Sequence, residues 1–446
     1  MKHTNDMTTG NPFSAIILFA LPLIIGNVFQ NLYNVVDVAI VGNSLGDHAL
    51  AAVGATSALY GLYICLNFGF NNGFSLVIAR NFGAKDIPRL KRSIGGTLRL
   101  GVLLSVVLTV LGIFTTRPLL VLLHTPDIDL SFRYISVLVY CVIFSVLYNT
   151  FSAILRAVGN SVAPLVFLII GTVTNIILDV LFIRVFHMGV FGAAFATVLA
   201  QAVCALISGL YYVKKCPDLL PSAEDYKLDP VTEKELLING LSMGMMFSIV
   251  SLGSVSLQYA INDLGDVTVT AHTAARKIDE TMMLVFFPLS TAAATYSSQN
   301  LGAGKYDRIK KGILAAFAVC FAVAIIMIIT AVMFGPELVQ AISGTANPEV
   351  IRLGSLYLRL NVPFFFFLVC LVVLRSTLQG LGNKIVPISA SFIEMGGKVI
   401  VAFFLVPVFG YMGVVFTEPA IWILGSVVVS IGFFYTMSRL RSSERG

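Results

Sequence analysis

An apolar stretch from Pro164 to Phe186 carries a carboxylate well inside it, at Asp179. As a helix rising 1.5 Å per residue, the stretch is about long enough to cross the ~30 Å hydrocarbon core of a bilayer. An ionised Asp in lipid costs ~2.5–3.5 kcal/mol on insertion scales, so such residues face a bundle interior or a wet cavity. Asn175 lies one helical turn before Asp179 on the same face. Together they offer three oxygens to a positively charged partner. The alternative is a protonated Asp179 whose hydrogen bonds only fix helix packing.

The composition is that of a polytopic membrane protein. Of the 446 residues, 57% are hydrophobic and 12% are charged, against ~25% charged in soluble proteins, and the mean hydropathy is +0.90. The six cysteines have no CxxC or paired spacing, which argues against a disulfide framework or a metal site. No basic segment and small-residue cleavage site precede the first apolar run, so we expect it to remain as a membrane span.

Twelve apolar runs are long enough to span a membrane. They are 13–42, 50–79, 94–115, 131–155, 162–186, 189–213, 236–262, 267–298, 312–334, 350–378, 385–406 and 411–436. With the N-terminus inside, the cytoplasmic segments hold most of the basic residues, from Lys2 to Arg445 and including Arg375. The outer segments hold only Arg117, Arg133, Arg184 and Arg352. The positive-inside rule therefore places both termini in the cytoplasm, as expected for a plasma (inner) membrane protein.

The chain repeats itself at a distance of about 220 residues. Residues 80–84 (RNFGA) align 219 positions later with 299–303 (QNLGA), and 155–164 (LRAVGNSVAP) match 378–387 (LQGLGNKIVP). Six spans separate the copies, so both halves have the same orientation, and transporters often place a substrate site between such repeats. The sequence predicts an all-α fold of twelve transmembrane helices in two pseudo-symmetric six-helix lobes. The expected domains are an N-terminal lobe 1–213, a cytoplasmic linker 214–235 and a C-terminal lobe 236–446.

Four oxygen-bearing side chains of the first lobe fall at similar depth when residues are counted from the outer end of each span. Asp37 lies ~7 Å from that end, Asp179 ~8–10 Å and Thr197 ~12 Å, and Asn175 is one turn deeper than Asp179. Two carboxylates, an amide and a hydroxyl suit a hard monovalent cation, or a proton shared between close carboxylates. No Lys or Arg of the first six spans lies at that depth. We therefore expect a cation-binding site without a compensating positive side chain.

The second lobe carries buried charges of both signs. The candidate charge network consists of Arg276, Asp279, Glu280, Arg359, Glu394, Lys398 and Glu418. The repeat alignment puts Lys398 at the position of Asn175 and Glu418 at that of Thr197, so a Lys ammonium takes the place of the cation in this lobe. We interpret most of the network as ion pairs that fix packing. The alternative is that Asp279, Glu280 or Glu394 faces the cavity and binds a cationic substrate.

An interior proline and a set of polar, aromatic and Met side chains complete the candidate site. Pro22 should kink the first span and free backbone carbonyls, which makes it a candidate conformational hinge. Aromatic and Met-rich surfaces adapt to varied ligands, although each of these residues could equally pack in the core. The expected cavity residues are Tyr33, Asn34, Tyr60, Asn67, Asp279, Met282, Met283 and Phe286.

Several motifs together resemble the multidrug and toxic compound extrusion (MATE) family, and most closely its DinF-like branch. They are Pro22, Asp37-x-x-x-Val41-Gly42, the basic loop after span 2, RAVGN at 156–160, Asn175-x-x-x-Asp179 and QNLGA at 299–303. The resemblance covers essentially the whole chain. It implies alternating access between two six-helix lobes and export driven by a sodium or proton gradient. It also implies cation ligands at Asp37, Asn175, Asp179 and Thr197 and a bending proline at Pro22. The chain departs from the sodium-coupled NorM-like pattern, because Lys398 and Glu418 fill the region of the acidic site in the C-terminal lobe.

We therefore expect a cation-coupled (Na⁺ or H⁺) antiporter that exports small organic compounds, cationic or amphipathic, and works as a monomer in the lipid bilayer. We expect no cofactor and no nucleic-acid partner. The alternative is a flippase or exporter of a lipid-linked or other amphipathic metabolite, which would line its cavity with cations. We expect no enzyme, because no two of the five histidines have metal-ligand spacing. The loop from Gly302 to Lys305 also lacks the upstream Gly and the following Ser or Thr of a P-loop.

Overall fold

The computed structural model describes residues 5–122, 125 and 127–445, and every structural statement below refers to that part of the chain. Lys2, His3 and His124, which entered the charge and ligand-spacing arguments above, lie outside it, as does the side chain of Arg445. Helices joined by short turns make up the described residues, and no strand occurs among them.

The helices follow one another closely along the chain. In order they are α1 (Pro12–Leu45), α2 (Asp47–Gly83), α3 (Ile87–Leu122), α4 (Ile128–Tyr140), α5 (Val142–Ala157), α6 (Val162–Asp179), α7 (Gly189–Lys215), α8 (Pro230–Asn262), α9 (Asp266–Met283), α10 (Phe286–Gly302), α11 (Tyr306–Ser343), α12 (Pro348–Asn361), α13 (Phe365–Gly380), α14 (Ile385–Ile400), α15 (Val406–Phe409) and α16 (Tyr411–Arg445). α6 and α14 each continue as a π-helical segment, Val180–Val185 and Val401–Leu405. Short 3₁₀ turns occupy Pro217–Leu219 and Val362–Phe364.

Most of the predicted spans are found in the described part of the chain as helices of sufficient length and hydropathy. Ten helical segments qualify, or eleven if α4 and α5, which are bent by 44° relative to each other, form one span. The remaining predicted span, 267–298, corresponds to α9 and α10, which are separated at Leu284 and Val285. α9 alone carries Asp266, Arg276, Lys277, Asp279 and Glu280. These charges explain why hydropathy alone does not identify that segment as a span.

Local signals in the sequence account for several helix starts. Asp127 accepts a hydrogen bond from the backbone N–H of Leu130 at 3.0 Å and caps α4. Asn347 does the same for α12, accepting from Glu349 N–H at 3.0 Å, and Pro348 follows as the first helical residue. Both arrangements satisfy N–H groups that have no partner within the helix, and Pro at the first position has no N–H to satisfy.

The chain divides into two compact units. The N-terminal unit comprises Met1–Asp6 and Leu21–Gly244, and the C-terminal unit comprises Met7–Ala20 and Met245–Gly446. Helices α1 and α8 therefore each contribute residues to both units. Within α1 the division falls directly before Leu21, one residue from the interior proline Pro22.

The internal repeat is present in the hydrogen bonds of the turns as well as in the sequence. In the turns after α5 and after α13, Gly159 and Gly382 adopt φ values of 85° and 81°, which glycine tolerates without strain. The next residues, Asn160 and Asn383, each accept a backbone N–H three positions on, at 3.0 and 3.2 Å. The two copies therefore share turn chemistry and differ in the side chains around it.

Within the C-terminal unit, the segment before α1 is held by side chains from the end of α10 and the start of α11. The Arg308 guanidinium donates hydrogen bonds of 2.9–3.3 Å to the carbonyl oxygens of Met7, Thr9 and Gly10. The side-chain oxygen of Gln299 accepts from Met7 N–H at 3.0 Å. Side chains in and after the second copy of the motif, at 299–303, thus form hydrogen bonds with backbone groups of residues 7–10. Without them these backbone groups would need water as a partner.

Candidate functional site

Helices α1 and α6 bring the two predicted carboxylates of the N-terminal unit together. Asp179 is the last residue of α6, directly before the π-helical segment, and is fully buried (0% exposed). The carboxyl groups of Asp37 and Asp179 lie within hydrogen-bonding reach of each other. Two carboxylates repel unless a proton or a cation lies between them, so this arrangement suits either one.

Asn175 and Thr197 complete the group at the same place. With the Asn175 amide oriented to satisfy both its atoms, Nδ2 donates to Asp179 Oδ2 at 2.7 Å and Oδ1 accepts from Thr197 N–H at 3.1 Å. Tyr33, one helical turn before Asp37 on α1, has its hydroxyl 3.5 Å from Thr197 Oγ1. The structure therefore brings all four predicted ligands together and adds Tyr33 beside them.

No basic side chain of the described residues pairs with Asp37 or Asp179. One oxygen of each carboxyl group, Oδ1, is buried and has no hydrogen-bond partner in the protein. Buried polar atoms are nearly always satisfied, and two carboxyl oxygens without a protein partner at one place fit the binding of a proton or a cation. Carboxylate, amide and hydroxyl oxygens can bind a proton or a hard cation such as Na⁺.

A cavity of about 400 Å³ in the N-terminal unit adjoins this group. Three predicted cavity residues, Tyr33, Asn34 and Asn67, line it, and so do the ligands Asn175 and Thr197. The rest of its polar lining was not predicted and consists of Asn27, Gln30, Ser145, Tyr148, Asn149, Arg156, Thr172 and Gln201. An occupant of this cavity could therefore contact Asn175, whose side chain also contacts Asp179.

The sequence did contain a signal for part of this lining. Asn27, Gln30, Asn34 and Asp37 recur at intervals of three or four residues within an otherwise apolar helix, so they share one face of α1. A polar stripe on a membrane-spanning helix is expected to face the protein interior rather than lipid.

The other predicted cavity residues line neither this cavity nor the one described below. Phe286 is 1% exposed and packs edge-to-face on Phe365, with ring centroids 5.7 Å apart. Tyr60 packs at the edge of a hydrophobic cluster. Asp279 is fully buried, and Met282 and Met283 are partly buried. None of these five residues lines either of the two cavities, and their assignment to a substrate cavity stays a prediction.

In the C-terminal unit the buried charges pair with one another. Lys398 Nζ lies 3.1 Å from Glu418 Oε1 and also donates to Ser254 Oγ at 3.1 Å. Arg276 lies 3.5 Å from the same Glu418 oxygen and 3.7 Å from Asp279. A second cavity, of about 370 Å³, is lined by members of this network and by His272, Lys277 and Tyr357 among others.

Two members of the predicted network lie elsewhere. Glu394 pairs with Arg375, at 2.6 Å, and both side chains are less than 9% exposed. Arg375, which is expected in a cytoplasmic segment, is a buried residue of α13. Arg359 is exposed and has no ion pair with a described residue. It lies two helical turns after the exposed Arg352 on α12, opposite the face that buries Tyr357 and Leu358, so its inclusion in the network was wrong.

A duplicated set of membrane-spanning helices with a polar cavity and unpaired acids defines a polytopic membrane transporter. The chain belongs to the MatE family, whose model matches residues 22–181 and 242–404. The two matched ranges correspond to the two copies of the repeat. Members of this family are transporters and not enzymes, which confirms the expectation from the sequence.

Individual proteins support the same assignment along nearly the whole chain. The chain is 30% identical over 383 residues to the probable multidrug resistance protein YpnP of Bacillus subtilis, covering 84% of each sequence. It is 25% identical to the multidrug export protein MepA of Staphylococcus saprophyticus, over 91% of this chain and 90% of MepA. A crystal structure of MATE in the bent conformation superposes with a TM-score of 0.91 at 22% identity, covering 99% of this chain and 98% of that one. The predicted all-α fold of twelve transmembrane helices in two lobes is thereby confirmed.

Proposed function

We propose that this protein exports several kinds of small organic compounds, cationic or amphipathic, in exchange for a cation. The names of YpnP and MepA, a probable multidrug resistance protein and a multidrug export protein, support this substrate range. The observation that carries the proposal is the pair of the partly buried Asp37 and the fully buried Asp179, whose carboxyl groups lie within hydrogen-bonding reach and have no basic partner among the described residues. Such a pair changes its charge when a cation arrives, which a compensated ion pair does not.

The proposed coupling ion is the proton, with Na⁺ as the alternative. A hydrogen bond between two carboxyl groups requires a proton, and Asp37 and Asp179 lie within reach of such a bond. In this proposal, protonation from outside stabilises the contact, and release of the proton inside separates the two groups. Na⁺ would instead bind between the carboxylates, with the Asn175 and Thr197 side-chain oxygens as further ligands.

Substrate and ion are proposed to oppose each other through the residues they share. Asn175 and Thr197 line the cavity, and Asn175 also donates a hydrogen bond to Asp179, so occupation of one site changes the wall of the other. Linkage then requires that each ligand weakens binding of the other by the same factor. We propose that the switch between inward and outward access uses Pro22, because α1 passes from one compact unit to the other next to it.

The proposed arrangement in the cell is a monomer in the plasma (inner) membrane with both termini in the cytoplasm. Its lobes are residues 1–213 and 236–446, joined by the cytoplasmic linker 214–235. The distribution of Lys and Arg supports the orientation. In the second lobe, the network around Arg276 and Lys398 is proposed to fix packing, because its members already form ion pairs.

The test is transport by the purified protein in liposomes, with a proton gradient and a sodium gradient imposed separately. Asp179→Asn should lower gradient-driven movement of fluorescent organic cations by at least about tenfold, a loss of ~1.4 kcal/mol or more in coupling. The matched control is Asp129→Asn, because Asp129 is an acid of the same unit that is 84% exposed. Size-exclusion profiles and thermal unfolding show whether each variant is folded. An unchanged rate in folded Asp179→Asn protein contradicts the proposal. If the wild-type protein responds only to the sodium gradient, the coupling ion is Na⁺ and not H⁺.

A further inference from the structure

The cavity of the N-terminal unit contains a positive charge that the coupling mechanism does not use. Arg156 is the second-to-last residue of α5 and lines the cavity. Its Nη2 atom is buried without a hydrogen-bond partner. No acidic residue lines this cavity, and no described acid forms an ion pair with Arg156. A buried guanidinium nitrogen without a hydrogen-bond partner is costly. The geometry thus leaves a positively charged group available to a ligand.

The internal repeat shows that the turn itself does not need this charge. Gln379 occupies the matching position in the second copy. The carbonyl oxygens of Arg156 and Gln379 accept the same turn bond, from Gly159 N–H and Gly382 N–H, each at 2.9 Å. A neutral amide therefore supports the same backbone, and the guanidinium is an addition specific to the N-terminal unit.

The position of Arg156 in the cavity separates it from the acid pair. α6 begins at Val162, shortly after Arg156 in the chain, and reaches Asn175 thirteen residues later, a rise of ~20 Å. The lining between the two ends is rich in amides, including Gln30, Asn149 and Gln201. The cavity thus has a cationic end and, behind Asn175, an acidic end.

We propose that Arg156 binds the carboxylate of a transported compound, so that the cavity prefers amphiphiles with a free carboxylate, including zwitterions, over their neutral or purely cationic analogues. A guanidinium offers two parallel N–H donors to a carboxylate. A phosphate or pyrophosphate dianion would need further cations, and Arg156 is the one basic residue that lines this cavity within the described part of the chain. This inference rests on the proposed function in assigning the cavity to substrate, and it adds the class of substrate.

The experiment compares two probes with the purified wild-type protein: a rhodamine with a free benzoate group and its methyl ester, which are otherwise identical. Fluorescence anisotropy gives the dissociation constant of each. We expect the wild-type protein to bind the carboxylate probe at least about tenfold more tightly than the ester, as for a charge-assisted bidentate contact. Equal affinities in the wild-type protein overturn the proposal without any variant.

Variants then assign the preference to Arg156. Arg156→Gln introduces the residue of the second copy and should remove the tenfold preference by weakening the carboxylate probe alone. Arg156→Lys keeps the charge without the paired donors and should retain part of the preference. Arg117→Gln, at an arginine that is 63% exposed, is the control for charge removal and should leave both affinities unchanged. Equal weakening of both probes by Arg156→Gln indicates a structural role and overturns the inference. Gradient-driven transport by the wild-type protein, abolished in Asp179→Asn, tests the proposed function separately.

Discussion

In the N-terminal unit Asp37 and Asp179 contact each other with no basic partner among the described residues, whereas in the C-terminal unit Lys398 lies 3.1 Å from Glu418. The repeat alignment places Lys398 at the position of Asn175, so the two copies have evolved different chemistry on the same backbone plan. A carboxyl pair without a counter-charge needs a mobile ion. A set of side chains that neutralise one another does not. In the proposed mechanism the N-terminal copy exchanges the ion, whereas the ion pairs of the C-terminal copy fix its packing.

The largest expected effect on stability comes from breaking a fully buried pair in the C-terminal unit. Glu394→Gln leaves Arg375 as a buried charge whose 2.6 Å partner has lost its negative charge, and breaking a buried ion pair typically costs ~3–5 kcal/mol. Chemical unfolding in detergent measures the change in the free energy of unfolding. A change below ~1 kcal/mol would show that Arg375 finds another partner or water, and the pair would then be less isolated from solvent than its burial indicates.

Lys398→Met should have an intermediate effect on stability and little effect on coupling. Glu418 keeps Arg276 at 3.5 Å in this variant, so we expect a loss of ~1–3 kcal/mol, as for an imperfectly compensated buried group. Gradient-driven transport, measured in liposomes, should persist. If a well-folded Lys398→Met protein loses coupling through the acid pair, ion exchange is not confined to the N-terminal unit.

Asp37→Asn should separate stability from coupling. No ion pair is lost and the amide can still hydrogen-bond to Asp179, so the free energy of unfolding should change by less than ~1 kcal/mol. Coupled transport should nevertheless fall as strongly as in Asp179→Asn, because the shared proton or cation loses one of its two carboxylates. Strong destabilisation with normal coupling would show that Asp37 fixes packing and does not exchange the ion, which contradicts the role proposed for the N-terminal unit.

The smallest effect is expected at an exposed pair of the C-terminal unit, which calibrates the others. Glu349 and Arg352 lie 2.7 Å apart with side chains 50% and 63% exposed. Glu349→Gln should leave the free energy of unfolding nearly unchanged, and even less changed at high salt, because solvent screens exposed pairs. A cost as large as that of Glu394→Gln would mean that burial does not distinguish the two pairs.

The sequence predicted the acid site because residue type and helical periodicity are sufficient there. Asp179 and Asn175 are one turn apart in an apolar run, and a buried acid in such a run must face other helices. Asp37 and Thr197 lie on other helices than Asp179. Their inclusion in the site also required the assumption that side chains at equal depth in the membrane are in contact. The structure supports that assumption, although the role of these residues as ion ligands stays a prediction.

The C-terminal network was harder to predict because ion pairing depends on how each helix is rotated about its axis. Arg359 and Arg375 are both single basic residues near the ends of apolar segments, and sequence position alone does not show which of them is buried. The 44° bend between α4 and α5 likewise falls at Cys141, without a proline or glycine to mark it. Tertiary packing determines both the burial of these arginines and the position of the bend, and a single sequence does not show how its helices pack.

The contact between Arg308 and the carbonyl oxygens of Met7, Thr9 and Gly10 joins residues about 300 positions apart in the chain. At ~5–20 residues per second of translation, Arg308 emerges from the ribosome ~15–60 s after these first residues. Until then the early segment must remain hydrated at the membrane surface without its final partner. The first segment therefore completes its packing only after most of the chain has been synthesised. A bulky group inserted directly before Met7 should slow maturation more than the same group fused after the last helix.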